Sequence, residues 1–518
     1  MFHELNHAKF GWFHVKAILI SGVGFFTDAY DLYTVGLISQ MIAYARFPDH
    51  LNAKGAYGSL PTNYDLVVKG TALIGTLVGQ VVFGLLGDKF GRKAPYGWTL
   101  IIMIVTTVGC AAGTWGTPAT FMGVFAMWRF LLGIGIGGDY PLSAVITSEY
   151  TPRHMRGAMM AAVFAMQGIG FLAASIVAVI VVVAFQSAID SCTAGEACMP
   201  LDHAWRIIVA IGVIPAIATY YLRTRLPETP RFTAHVEKDL TKAEADMVSV
   251  FNNTDEFRKL EKKTDVATDN DAITFRDFKN FLSIRRNAMW LFGTCSTWFL
   301  LDIAYYCQNL FTPKVVGDIG YSVSVKPGGT GRDIYHAVYA STTGTAIIIL
   351  MGLVPGYFVT IATIEKLGRK TIQFMGFIMM TILLVICSAA WVPLREKAIW
   401  AFIVIYALTF FFANFGPNTT TFIVPGECFP TKYRATCHGL SAAWGKAGAI
   451  VGVYGFGSVN DLYGTQLCLG LLAIFMALGT VCTVFIPETR GFSLEELNEE
   501  QVPKHVNLAE QGTKQAVN

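Results

Sequence analysis

Apolar residues along this chain run in long blocks, and the blocks set its architecture. They fall near 17–43, 65–87, 95–116, 118–147, 157–186, 205–225, 287–311, 334–360, 371–392, 398–425, 436–460 and 465–486. About 20 helical residues cross ~30 Å of hydrocarbon, so each block predicts one membrane-spanning helix. One polar stretch interrupts the series at 226–286, and a polar tail follows 487–518. The expected fold is an all-α membrane protein with twelve transmembrane helices, six in 1–225 and six in 287–486.

Composition agrees with the pattern. Of 518 residues, 53% are hydrophobic and 14% charged, against roughly one quarter charged in soluble domains. A net charge of +3 is too small to imply nucleic-acid binding, so its distribution matters more. The loops "DKFGRK" (88–93), "RHMRG" (153–157), "EKLGRK" (365–370) and "TKYR" (431–434) are basic, whereas those near 117 and 187–204 hold no Lys or Arg. Positive-inside logic places both termini in the cytoplasm, although Lys314, Lys326, Arg332, Arg395 and Lys397 then lie outside. No cleavable signal peptide is expected, because the first apolar span is too long and contains Asp28 and Asp31. Eight of the ten cysteines fall in or beside spans. Cys192 and Cys198 lie in an outer loop, where their separation allows a bridge without requiring one.

The chain also repeats. "GLLGDKFGRK" (84–93) returns as "TIATIEKLGRK" (360–370), "SEYTPRHMRG" (148–157) as "GECFPTKYRA" (426–435), and "LPETPRF" (226–232) as "IPETRGF" (486–492). Three matches in one order imply two six-helix halves. The repeated charges, Asp88, Arg92, Glu149 and Arg156 in the first half and Glu365, Arg369, Glu427 and Arg434 in the second, sit at tight turns. There an acid and its basic neighbours can bond the end of an adjacent helix and latch the cytoplasmic ends together.

These loop signatures, with "RFLLGIGIGGDYPLSA" (129–144) and the "PET" closures, resemble the major facilitator superfamily over essentially the whole chain. "GGDYPLSAVITSEY" (137–150) and "TWFLLDIAYYCQNLF" (297–311) are similar to the proton-coupled inorganic phosphate transporters of fungi and plants in particular. The resemblance implies a symporter that imports phosphate with protons across the plasma membrane by alternating access. It also implies that Tyr140, Gln167, Trp298, Asp302, Tyr306, Asn418 and Lys446 bind phosphate. "GIGIGG" (133–138) imitates a dinucleotide fingerprint, but without a βαβ context it reads as close helix packing. No cofactor, metal site or enzymatic constellation is visible.

Ionisable groups inside a membrane cost ~2.5–3.5 kcal/mol each near its centre, so each asks for a purpose. Trp298, Asp302 and Tyr306 are spaced i, i+4, i+8 and share one stripe. Lys446 supplies a cation for an anion, and Trp298, Tyr140, Tyr306, Gln167 and Asn418 can donate hydrogen bonds to it. Asp302 would accept the hydroxyl protons that phosphate keeps and sulfate lacks, while arsenate should pass. Once protonated it no longer repels the anion, which makes it a proton site. The competing reading is a buried Asp302–Lys446 pair that merely neutralises itself. Asp28, Asp31 and Asp139, with Arg129 nearby, are material for a proton relay. Pairing of Arg129 with Asp139 in a purely structural role is an equal alternative.

Two other functions compete. A sugar or organic-solute carrier shares the "PET" motifs, but a neutral solute needs no buried cation, and the seventh span lacks a Gln pair. A phosphate-sensing receptor would use the linker and tail as its output. Within the linker, "FRDFKNFL" has the spacing of a helix lying on a membrane surface. In the tail, Ser493 and Glu496 fit a capping box.

Overall fold

The computed structural model describes residues 11–52, 55–224, 228–237, 239, 242, 275–494 and 496–497. Most of the linker, including "NNT" (252–254), and the tail beyond Leu497 lie outside the described residues.

Each apolar block forms a helical rod. The first six are α1 (Trp12–Arg46), α2 (Thr62–Phe90), α3 (Lys93–Ala112), α4 (Pro118–Tyr150), α5 (Arg156–Ala184) and α6, which is split into Met199–Ile211 and Val213–Thr224. After the linker come α7 (Arg285–Asp318), α8 (Gly331–Ile348 continuing to Val354–Leu367), α9 (Arg369–Ala389) and α10 (Ile399–Asn414 and Pro417–Cys428). The last two are α11 (Arg434–Tyr463) and α12 (Thr465–Cys482). Among the described residues, nine of these rods are long and apolar enough to cross a membrane. The other three, α1, α7 and α11, are 35, 34 and 30 residues long but more polar. They carry Asp28, Asp31, Asp302 and Lys446, so the rods least like lipid-facing spans are those that bear the site.

Within the first half, α2 packs on α4 and α1 on α5; in the second, α7 packs on α11 and α9 on α12. The halves meet chiefly where α2 touches α11 and α5 touches α8. The α2–α4 contact explains "GIGIGG": a Cβ at Gly133 would stand 2.1 Å from the Ala72 carbonyl oxygen, and one at Gly137 2.2 Å from that of Thr76. Reciprocally, one at Gly75 would meet the Phe130 carbonyl at 2.0 Å. With no Cβ the backbones touch, as at small-residue crossings in membranes.

Lipid-facing positions are apolar and exposed, such as Val105, Ile180, Ile214 and Val481 at 56%, 60%, 64% and 62%. Such a surface is unsustainable in water and suits a bilayer.

The breaks are supported. Helix α10 stops at Asn414 and restarts at Pro417, and the Asn414 carbonyl freed there accepts bonds from Thr360 and Thr419, each at 2.8 Å. Helix α8 contains a π turn at Ile349–Leu353, a common mark of a functional helix. Cys192 and Cys198 form a disulfide in the loop between α5 and α6. The capping box at Ser493 and Glu496 is formed, with both bonds present at 3.0 and 2.7 Å. The "FRDFKNFL" segment forms the helix Phe275–Ser283. Phe278 and Phe281 pack on Tyr433, with ring centroids 5.7 and 5.0 Å away, so its apolar face covers protein at the end of α11.

Candidate functional site

At the centre Lys446 of α11 donates to Asp302 of α7 at 2.7 Å, and both side chains are 1% exposed. The ammonium also lies over the rings of Tyr306, at 4.1 Å, and Tyr140, at 5.1 Å. Tyr140 and Tyr306 hydroxyls stand 3.4 Å apart. A hydrogen-bonded chain then crosses the halves. Gln167 of α5 donates to Tyr140 at 2.8 Å, Tyr357 of α8 donates to Gln167 at 3.0 Å, and Asn418 of α10 donates to Tyr357 at 2.8 Å. Trp298 completes the wall, its ring 6.5 Å from that of Tyr140. A Cβ at Gly445 would sit 2.5 Å from Trp298, so glycine beside Lys446 is what admits the indole.

The structure thus gathers Tyr140, Gln167, Trp298, Asp302, Tyr306, Asn418 and Lys446 around one buried point. Sequence reading missed Tyr357, which joins Gln167 to Asn418. A tyrosine among the apolar residues of "VPGYFVT" has no local mark of function.

The acids of the first half form a separate cluster. Asp139 is held by Arg223 through two bonds of 2.8 and 2.7 Å and accepts from Thr99 at 2.5 Å. Arg129 donates to the backbone carbonyl of Asp31 at 2.6 Å, while Thr107 donates to the Asp31 carboxylate at 2.8 Å. The side-chain partner of Asp139 is therefore Arg223, and Arg129 serves α1. Asp28 is fully buried, and neither carboxylate oxygen has a hydrogen-bond partner among the described residues. A small cavity lined by Asp31, Thr34, Cys110 and Arg129 adjoins this cluster. Arg223 lies at the end of its span, where basic residues are ordinary topology markers; a mid-span Asp139 needing a cation was the available clue.

At the basic end the repeated charges interlock. Asp88 accepts from the Ala435 and Thr436 amides at 3.2 and 2.7 Å, capping the start of α11. Arg92 and Arg434, one from each half, both reach Glu149, at 3.1 and 2.9 Å. In the second half Arg369 pairs with Glu365 at 2.7 Å and Glu427 at 2.9 Å, and Glu365 accepts from the Ala158 amide of α5 at 3.1 Å. Arg156 donates to the Phe492 carbonyl at 3.2 Å. The "PET" motifs have a part that sequence reading did not assign. Thr229 and Thr489 donate to Glu149 and Glu427, each at 2.5 Å, and Glu228 and Glu488 accept from the first amides of α3 and α9. Burial pushes the Glu228 carboxyl above its ordinary value, opposed by the amides of Thr229, Lys93 and Arg92.

The other end is also shut. Tyr57 donates its amide to Val325 at 2.8 Å and Ala194 to Gly329 at 3.2 Å, so the loops of both halves at this end are tied. The polar cluster around Lys446 is thus covered from both sides.

A buried polar cluster between two repeated helix bundles, tied at both ends, fits a membrane carrier of the alternating-access kind. The family model described as "Sugar (and other) transporter" matches residues 16–500, and the chain belongs to that family. It is 43% identical over 514 residues to the probable inorganic phosphate transporter 1-6 of Arabidopsis thaliana, covering 97% of this chain and 96% of that protein. It is 40% identical over 540 residues to the repressible high-affinity phosphate permease of Neurospora crassa, covering 98% and 92%. Among solved structures, the major facilitator superfamily proton:xylose symporter bound to 6-bromo-6-deoxy-D-glucose superposes with a TM-score of 0.71 at 18% identity, covering 94% of this chain and 99% of that one. The fold is that of the superfamily.

Proposed function

We propose that this chain imports inorganic phosphate with protons across the plasma membrane, its termini in the cytoplasm and all twelve rods spanning. The reading is carried by the Lys446–Asp302 pair at the centre of a ring of hydrogen-bond donors. It is supported by the relatives named phosphate transporters. A neutral sugar would leave this buried cation without purpose.

Lys446 and Asp302 satisfy one another, so an entering anion must replace the carboxylate. Protonating Asp302 makes that exchange favourable: Lys446 is released to the anion, and the neutral acid can share hydrogen bonds with a phosphate hydroxyl. Tyr140, Tyr306, Trp298, Gln167 and Asn418 supply the remaining donors. Sulfate offers no hydroxyl, so it binds poorly; arsenate has the shape and protons of phosphate and passes. When Asp302 loses its proton it reclaims Lys446 and bars an anion from rebinding, which ties net release, though not exchange, to proton delivery. Asp28, Asp31 and Asp139 form a second proton-carrying group, with Arg223 and Arg129 as its fixed cations. The halves 1–225 and 287–486 move as bodies about the chamber, with 226–286 as the link between them and 487–518 as a cytoplasmic tail. The latches open during inward release.

Uptake of labelled phosphate into proteoliposomes under an imposed inward proton gradient tests the reading. Accumulation that arsenate inhibits and sulfate does not is the expected result. Binding without accumulation would mean a sensor, and accumulation indifferent to the proton gradient would remove the coupling.

A further inference from the structure

On α11, eight residues before Lys446, stands a histidine that the chamber does not use. At 1.5 Å rise per residue His438 lies about 12 Å from Lys446 along the helix, towards the end where Asp88 caps the Ala435 and Thr436 amides. It is fully buried. Its Nε2 is 3.0 Å from the Phe422 carbonyl oxygen. A carbonyl can only accept, so Nε2 carries a hydrogen and donates it. Nδ1 has no hydrogen-bond partner among the described residues. The imidazole is thus held by one nitrogen with the other free to take a proton.

Its surroundings give that free nitrogen a direction. The imidazole meets the Trp298 indole edge to face, with centroids 5.6 Å apart and planes at 90°, and meets Phe422 in the same way at 5.3 Å. Trp298 is one helical turn before Asp302 on α7. The indole therefore separates the Lys446–Asp302 pair from His438, and His438 is the first imidazole on the cytoplasmic side of that wall. The charged groups on the elements around it are Asp302 of α7 and Lys446 of its own helix beyond the indole. On the latch side they are Asp88 and Arg92 of the α2–α3 turn, Glu149 of α4, Glu427 of α10, Arg369 of α9 and Arg434 at the start of α11. The neighbouring thiols are Cys295 of α7, Cys428 of α10 and Cys437. Among the described residues none of these bonds to the imidazole.

We infer that His438 is a proton-binding site: when Trp298 yields as the halves part on the cytoplasmic side, Nδ1 takes the proton that Asp302 gives up and hands it to cytoplasmic water. The inference rests on the proposed proton-coupled reading. The step balances. The Asp302 O–H bond breaks, an Nδ1–H bond forms, directly or through water, the carboxylate re-forms its pair with Lys446, and the resulting imidazolium then loses one proton to solvent. A proton taken into a second site, rather than returned to the chamber, makes net transport one-way. Exchange of phosphate for phosphate needs no such transfer, because Asp302 can keep its proton.

The test compares those two modes. His438→Gln keeps an amide donor for the Phe422 carbonyl and cannot be protonated. In proteoliposomes the variant should bind phosphate and exchange external for internal phosphate within about twofold of wild type. Its net uptake should fall at least about tenfold, and the remainder should lack the decline expected of wild type as internal pH drops from about 8 to about 5. Net uptake and exchange falling together would make His438 a packing residue and overturn the inference. So would a folded variant with wild-type net uptake, or a wild type whose net uptake ignores internal pH. His438→Asn, assayed the same way, replaces the Gln variant if that one fails to fold. If wild type showed no gradient-driven phosphate uptake at all, the proposed function would fail; if it did and His438→Gln matched it, this site alone would fail.

Discussion

Lys446 and Asp302 neutralise each other in the enclosed state, so each shows its role only when the other is left alone. Charge-assisted hydrogen bonds contribute roughly 1.5–3 kcal/mol, and every 1.4 kcal/mol is tenfold in affinity. Lys446→Ala should therefore weaken phosphate binding at least about tenfold on the purified protein, measured by calorimetry. Unchanged affinity would move the anion site elsewhere. Asp302→Asn is nearly isosteric and permanently neutral. It should retain phosphate binding, lose the dependence of that binding on external pH, and fail to concentrate phosphate. A pair that merely holds α7 to α11 predicts instead a lowered melting temperature for Asp302→Asn, since losing one partner of a buried ion pair costs about 3–5 kcal/mol. A folded Asp302→Asn variant that still accumulates phosphate would end the coupling role. The stripe Trp298, Asp302, Tyr306 was legible because an acid in an apolar helix is costly and helical spacing places it. Tyr357 and Arg223 were not, since their importance is a partner 190 residues away at Gln167 and 84 away at Asp139.

Among the elements, α2 and α4 pack backbone against backbone. Their contact depends on absent side chains, because a Cβ at Gly137 would stand 2.2 Å from the Thr76 carbonyl oxygen, a rigid backbone atom. Gly137→Val should force the helices apart at an overpacking cost of about 1–3 kcal/mol, seen as a lower melting temperature in detergent. A variant melting with wild type would show that the helices slide at no cost. Span positions agree with the apolar blocks to within a few residues at most ends, because block length fixes where lipid contact can begin and end. The gaps in α6 and α10 were less legible. Gly212 and Pro417 mark them, but glycine and proline are common throughout membrane helices.

At the scale of the whole molecule, buried charges join the halves at the end where α2, α4 and α11 meet. Arg434 of the second half reaches Glu149 of the first, which Arg92 also holds, and Glu365, held with Glu427 by Arg369, accepts from the Ala158 amide of the first half. Glu149→Gln together with Glu427→Gln should shift the population towards an open cytoplasmic side. Spin labels at the exposed positions Phe90 and Leu367 would report it as a longer distance between the halves, and an unchanged distribution would make the network incidental. Charge balance gives a second outcome at this scale. Moving one charge through 100 mV is worth ~2.3 kcal/mol, so an imported monoanion needs one proton for neutrality and more than one for voltage to assist. Two separate acidic groups lead us to expect inward current on adding phosphate under voltage clamp; outward current, or none at saturation, would rule out more than one proton. The sequence alone determined the membrane class, the repeat and the charged loops, because apolar length, order of motifs and charge are properties of the chain read locally. Only the tertiary structure decided that Arg223 holds Asp139, that the "PET" threonines complete the latches, and that Trp298 stands between Asp302 and His438. Each of those depends on which helices meet, and the chemistry of a residue does not say which neighbour it will have.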